Sequence, residues 1–145
     1  MIRLFFTAIL LIVATIKSVA QDSPQVTASG TYFEKSESTA DYKGWSNSNG
    51  TNETRASYKQ YNGTTYVLIK SPKDVKLSLK CIAEVKKGSL EVLLEEDASS
   101  PGLLYAFNKT GSAEKYISLK AGIQYKIKFK GQNTQGSYKC SWSTL

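Results

Sequence analysis

From Thr65 to Trp142 the chain alternates apolar and polar residues in short runs, with no stretch at the helical spacing. Successive side chains on a strand point to opposite faces, so this period of two commits the region to half-buried β-strands. Val75, Leu77, Leu79, Cys81, Ala83 and Val85 share one face, with Lys76, Ser78, Lys80 and Glu84 on the other. Tyr125, Ile127 and Phe129 oppose Lys126, Lys128 and Lys130 in the same way, and Tyr138, Cys140 and Trp142 form a third inward set. Turn sequences separate the runs: Lys86-Lys87-Gly88, Ser99-Ser100-Pro101-Gly102, Asn108-Lys109-Thr110-Gly111 and Lys120-Ala121-Gly122. They delimit strands at 65–70, 75–85, 89–95, 103–107, 116–119, 125–130 and 138–142. The expected fold is all-β, an antiparallel β-sandwich (jelly-roll or immunoglobulin-like) of about 7–9 short strands. The end of the chain is expected to return beside the first of these strands.

Residues 1–20 read as a secretory signal, with Arg3 ahead of the apolar run 4–16 and small residues at Lys17-Ser18-Val19-Ala20 for cleavage after Ala20. The run is shorter than the roughly 20 apolar residues of a membrane-spanning helix, so no integral membrane segment is expected after cleavage. Residues 21–145 then form a single domain, secreted or periplasmic. In such a compartment two cysteines pair. Cys81 and Cys140 both fall on inward faces, which places the expected disulfide in or beside the core. Closing a loop of about 60 residues stabilises the fold by about 4 kcal/mol on the chain-entropy account.

Charge narrows the partners. The 145 residues carry 19 Lys and Arg against 12 Asp and Glu, a net +7. Losing Arg3 and Lys17 with the signal leaves 17 − 12, or +5. Arg55 is then the only arginine, whereas phosphate and base recognition favour the flat guanidinium fork, so nucleic acid is not an expected partner. Lys76, Lys80, Lys126, Lys128 and Lys130 point outward and read as guards against edge-to-edge strand pairing. Should their strands be neighbours, they would form a basic strip for an anionic polysaccharide or membrane surface.

Residues 36–64 differ in kind. They contain no Val, Ile, Leu, Met or Phe, and are rich in Ser, Asn, Thr and Gly. Such a stretch is a long loop, a pair of polar edge strands, or partly disordered. Its aromatics Trp45, Tyr58 and Tyr61, among Asn47, Asn49, Asn52, Gln60 and Asn62, are the materials of a sugar site, because ring faces stack on C–H surfaces while amides meet hydroxyls. The other reading is that these rings tuck under a polar loop as a satellite of the core. Asn49, Asn52, Asn62 and Asn108 stand in Asn-x-Ser/Thr sequences, glycan acceptors in a eukaryotic secretory pathway.

The chain has no histidine, and with both cysteines bridged the triad and thiol mechanisms lose their groups. Glu91, Glu95, Glu96 and Asp97 form the densest acidic group, expected on a solvated outer face ending in an acidic turn. Three neighbouring acids do not make a calcium cage, so no metal and no cofactor is expected. No catalytic residue is assigned.

Tyr138-Lys139-Cys140 places a tyrosine two residues before the second cysteine, as immunoglobulin domains do, but no tryptophan follows Cys81 at the expected distance. Lys120-Ala121-Gly122, the run 125–131 and Gly136-Ser137-Tyr138 resemble the closing strands of pre-peptidase C-terminal domains, small β-sandwiches appended to secreted bacterial enzymes. Ser89-Leu90-Glu91 departs from that family, which commonly has an aspartate there. The resemblance covers residues 65–142 and implies a non-catalytic accessory module with affinity for polymers. The expected function is a secreted binding module, with extracellular glycan as the ligand and Trp45, Tyr58 and Tyr61 as its site. The alternatives are a structural component of the cell envelope that binds another envelope protein, and a small carboxylate-dependent hydrolase.

Overall fold

Three strands are far longer than the alternation suggested. The computed structural model describes residues 26–97 and 99–145, and the expected signal at 1–20 lies outside them. In chain order the strands are β1 (Thr27–Ala28), β2 (Tyr32–Phe33), β3 (Asp41–Lys43), β4 (Ser46–Asn49), β5 (Glu53–Lys70), β6 (Val75–Glu96), β7 (Gly102–Phe107), β8 (Gly111–Leu119) and β9 (Gln124–Thr144). The expected strands 75–85 and 89–95 are one strand, β6, and the last two are likewise both β9. Lys86-Lys87-Gly88 is therefore not a hairpin turn; it is where the register of β6 against β9 slips.

All pairings are antiparallel. β9 lies between β5 and β6 along its whole length, from Lys70↔Gln124 to Glu53↔Ser141 on one side and from Glu96↔Tyr125 to Leu77↔Thr144 on the other. The end of the chain thus returns beside its beginning, as expected. The outer edge of β5 is covered in turn by β1, β2, β3 and β4, which behave as one interrupted strand. The outer edge of β6 is covered by β7 and then β8, interrupted at residues 108–110. The described molecule is five ribbons wide.

This five-ribbon sheet is folded double across its strands. Phe129 and Tyr138, both on β9, stack with ring centroids 4.0 Å apart. Nine residues of straight strand would separate them by about 30 Å. Register shifts fall at one level in all three long strands, at Tyr58–Gly63 in β5, Val85–Ser89 in β6 and, opposite them, residues 131–136 of β9. Such irregularities bend a strand and let it pass from one sheet of a sandwich to the other. Gly136 sits on the crease with φ 143°, and a Cβ there would lie 1.8 Å from the Glu84 carbonyl oxygen. Gly88 adopts φ 71° on the neighbouring strand.

The fold creates a first layer, made of β4, β8 and the 53–58, 75–85 and 136–144 parts of the long strands, and a second layer containing β1, β2, β7 and the remaining parts. Their inward residues meet as the core: Leu77, Leu79, Ala83 and Trp142 from the first, Val67, Ile69, Val92 and Ile127 from the second. Polar groups tie the layers as well. The Tyr105 hydroxyl donates to the Leu79 carbonyl at 2.6 Å, and Thr65 and Tyr138 share a hydrogen bond at 3.1 Å. Cys81 and Cys140 are directly opposite on β6 and β9 and form the expected disulfide, 1% and 0% exposed. It joins neighbouring strands of one layer, unlike the inter-sheet bridge of immunoglobulin domains.

Residues 36–64 resolve into the polar edge strands β3 and β4 plus the first part of β5. The inward positions here are Thr54, Ala56, Tyr58 and Tyr61, which supply the buried face that aliphatic residues supply elsewhere.

Candidate functional site

The aromatics of residues 36–64 form a single nest beside the crease. Trp45 stacks on Tyr58 (5.8 Å, 12°) and meets Tyr61, Phe33 and Tyr42 edge-on at 5.1, 5.4 and 5.8 Å. Tyr58 and Tyr61 are 4% and 0% exposed, so their rings face the core and not a ligand. Burial pushes the Tyr58 hydroxyl up to about 12 and raises that of Tyr61 well above its ordinary value. The Tyr61 hydroxyl donates to the Phe129 carbonyl and accepts from the Thr65 amide at 3.0 Å, which pins the bend of β5 to β9. Trp45 is half-buried, and its indole N–H donates to the Asn47 Oδ1 at 3.0 Å. The sugar site expected at Trp45, Tyr58 and Tyr61 is thus largely the satellite core that was its alternative: two rings are interior, and only Trp45 keeps contact with solvent.

The expected lysine arrangements are also replaced. β6 and β9 are inner strands, so their lysines guard no edge. Lys76 and Lys80 lie on the outer face of the first layer, and Lys126, Lys128 and Lys130 on that of the second, so no single strip forms. Lys128 lies 2.8 Å from Glu95 and 3.4 Å from Glu34, while Lys126 lies 3.3 Å from Glu95 and 4.9 Å above the Tyr66 ring. Glu95 is 8% exposed, not part of a solvated face. The hydrogen bond from Lys128 holds its carboxyl below the usual range. That carboxylate is engaged in a charge-compensated cluster. Among the described residues no three metal-ligating side chains are gathered, and no helix is long and apolar enough to cross a membrane.

A hollow lies elsewhere, on the outer face of the first layer just above the crease. It is an open trough of about 340 Å³ crossing β4, β5, β9 and β6. That volume is at the lower end of the roughly 300–1,000 Å³ typical of ligand clefts. Two cross-strand rows form it. Ser46, Ser57, Ser137 and Glu84 are successive partners in one, and Ser48, Arg55, Lys139 and Ile82 in the other. They alternate with Ala56, Tyr138 and Ala83, which face the core. Serines at the centre are too short to fill the space, and the curvature at the crease leaves a hollow. Thr110, at the break between β7 and β8, closes one end and accepts a hydrogen bond from the Val85 amide at 3.0 Å. Ile82 is 48% exposed, an apolar side chain on the wall at the β6 end of its row. Trp45 lies behind this site, one residue before its β4 rim.

Of the trough residues only Asn47 was named with the expected sugar site from the sequence. Their outward placement follows from the same period of two, but only the register brings Ser46, Ser57 and Ser137, up to 91 positions apart, into one row. A second cleft of about 730 Å³ opens between the layers at the end away from the crease, beside Trp142 and Val26.

No family model matches the chain, and no curated protein sequence matches it either. Among solved structures it is similar to a carbohydrate-binding module of a Cellvibrio mixtus lichenase in complex with cellotriose, at 10% identity and TM-score 0.42, over 80% of this chain and 97% of that one. A family 29 carbohydrate-binding module complexed with mannohexaose matches at 12% identity and TM-score 0.42, over 82% and 92% of the two chains. A family 4 carbohydrate-binding module matches at 9% identity and TM-score 0.45, over 73% and 78%.

Proposed function

We propose that the chain is a secreted, non-catalytic glycan-binding module whose site is the trough of the first layer. The observation that carries this reading is the hydroxyl-lined hollow at Ser46, Ser57 and Ser137 on three adjacent strands. Each hydroxyl both donates and accepts, which suits a ligand whose own surface is hydroxyl groups. Groups fixed on paired strands lose little freedom on binding, so weak individual contacts are not offset by ordering costs. Ile82 offers an apolar patch for the C–H face of a sugar ring, while Trp45 keeps the β4 rim in place through Asn47. A bridged cysteine pair suits an oxidising, exported setting. An accessory role is also what the resemblance to pre-peptidase C-terminal domains implies.

The test is a polysaccharide binding screen on the full chain alongside Ser137→Tyr, which fills the trough from an outward position on an inner strand. Saturable binding is expected, weakened about tenfold or more by the substitution, a change of about 1.4 kcal/mol, with Tm nearly unchanged. No binding across neutral and charged polysaccharides, or binding indifferent to Ser137→Tyr, would sink this reading.

A further inference from the structure

Arg55 and Lys139 face each other across β5 and β9 in direct register, and both line the trough. Like charges directly opposite on paired strands repel and destabilise the pair. Lys139 is partly relieved by Glu53, 3.0 Å away on the neighbouring strand, and Glu84 on the trough's other row is engaged by Lys86 at 3.2 Å. Arg55 has no ion-pair partner among the described residues, and it is the only arginine after Arg3 in a chain that otherwise uses lysine for positive charge. Its row neighbours are Ser48 on β4 and Lys139 on β9, the outward position that follows it on β5 is Ser57, and Arg55 itself is exposed.

We infer that Arg55, with Lys139 beside it, is a subsite for an oxyanion substituent on the bound glycan, a carboxylate or a sulfate ester. This rests on the reading of the trough as the glycan site and deepens it: the ligand is an acidic polysaccharide. A guanidinium presents parallel N–H donors that match two oxygens of a carboxylate or sulfate, which a lysine in the same place does not. An anion placed between the two cations also removes their repulsion, so the unfavourable pairing in the free protein becomes affinity in the complex. The neutral parts of the sugar remain with the serine row and Ile82.

The experiment titrates the full chain with polygalacturonate, its methyl-esterified form, dextran sulfate and dextran, for wild type, Arg55→Gln, Arg55→Lys and Lys70→Gln. Lys70 is an exposed lysine on the second layer, so Lys70→Gln lowers the net charge without touching the trough. Wild type is expected to prefer polygalacturonate over its ester, or dextran sulfate over dextran, by about tenfold, the worth of one charge-assisted bidentate contact. Which pair shows the preference tells carboxylate from sulfate. Arg55→Gln is expected to abolish the preference while leaving any binding of the neutral polymer in place, Arg55→Lys to restore only part of it, and Lys70→Gln to leave it intact. Equal binding of acidic and neutral polymers, or a loss in Lys70→Gln as large as in Arg55→Gln, would overturn the oxyanion subsite and leave the glycan reading standing. Failure to bind any of the polymers overturns both.

Discussion

At the scale of single residues, the charged side chains divide into those the fold satisfies and those it leaves available. Glu95 belongs to the first group. It accepts from Lys128 at 2.8 Å, has Lys126 at 3.3 Å, and is almost enclosed. The Lys128 hydrogen bond lowers its pKa from the ordinary 4.5. Burial pulls Lys128 down, but the contacts with Glu95 and Glu34 outweigh it and leave its pKa above 10.5. A carboxyl that titrates lower in the folded protein than in the unfolded chain contributes its full stabilisation above the unfolded value and loses it as pH falls through the folded one. The pair therefore stabilises the fold between about pH 4.5 and 10.5 and weakens below that window. Glu95→Gln is expected to cost about 2 kcal/mol at pH 7, the order of a hydrogen bond to a charged group, with the difference from wild type shrinking as pH drops below about 4. Urea unfolding at pH 7 and pH 3 measures both. A difference of the same size at the two values would mean that Glu95 acts through packing and not through its charge.

At the scale of elements, the deciding feature is whether a glycine between two apolar runs reverses the chain or merely bends it. Lys86-Lys87-Gly88 has the composition of a hairpin turn, and Lys120-Ala121-Gly122 really does join β8 to β9. The two cannot be told apart locally, because what makes the first a bend is the continued pairing of β6 with β9 on both sides of it, a contact between distant segments. The period of two was legible over residues 65–142. It faced inward Leu77, Leu79, Cys81, Ala83 and Val85 of β6 and Tyr125, Ile127, Phe129, Tyr138, Cys140 and Trp142 of β9, all of them core residues. It put Glu95 on the solvated face, however, whereas the structure buries it. It was hidden in β5 before Tyr61, where Thr54, Ala56 and Tyr58 hold the inward places and do not stand out as aliphatic. The trough was less legible still, since an outward serine has no signature until the register gives it neighbours. The crease itself makes a sharp prediction. Gly136→Ala combines φ 143° with a Cβ 1.8 Å from the Glu84 carbonyl, on backbone that is held by pairing on both sides. It is expected to cost about 3 kcal/mol or more, and to flatten the trough by moving Ser137. Thermal and urea unfolding test it; a cost below about 1 kcal/mol would mean that the bend tolerates an ordinary backbone there.

At the scale of the whole molecule, the two layers are not independent sheets that dock but the two halves of the same three long strands. Each half of β9 is sandwiched between β5 and β6, so neither layer can form until the last strand arrives from the far end of the sequence. Such non-local pairing makes loop closure the main entropic obstacle to folding. The disulfide acts on that obstacle directly. Cys81 and Cys140 are 59 positions apart, and the bridge holds β9 against β6 in the register that the native sheet requires. For a loop of that length the unfolded chain loses entropy worth about 4 kcal/mol. Against a total of about 5–15 kcal/mol for a domain, this is a large share. The double variant Cys81→Ala with Cys140→Ala is expected to unfold at lower urea, with a loss of about 4 kcal/mol and a larger m-value, because its unfolded chain is free to expand. Its refolding is expected to slow while its unfolding rate changes little, since the bridge restrains the open chain more than it supports the packed one. Stopped-flow refolding and unfolding of both proteins separate these effects. If the loss appeared instead as faster unfolding with refolding unchanged, the bridge would be bracing the finished first layer, and β9 would be finding its place between β5 and β6 without help.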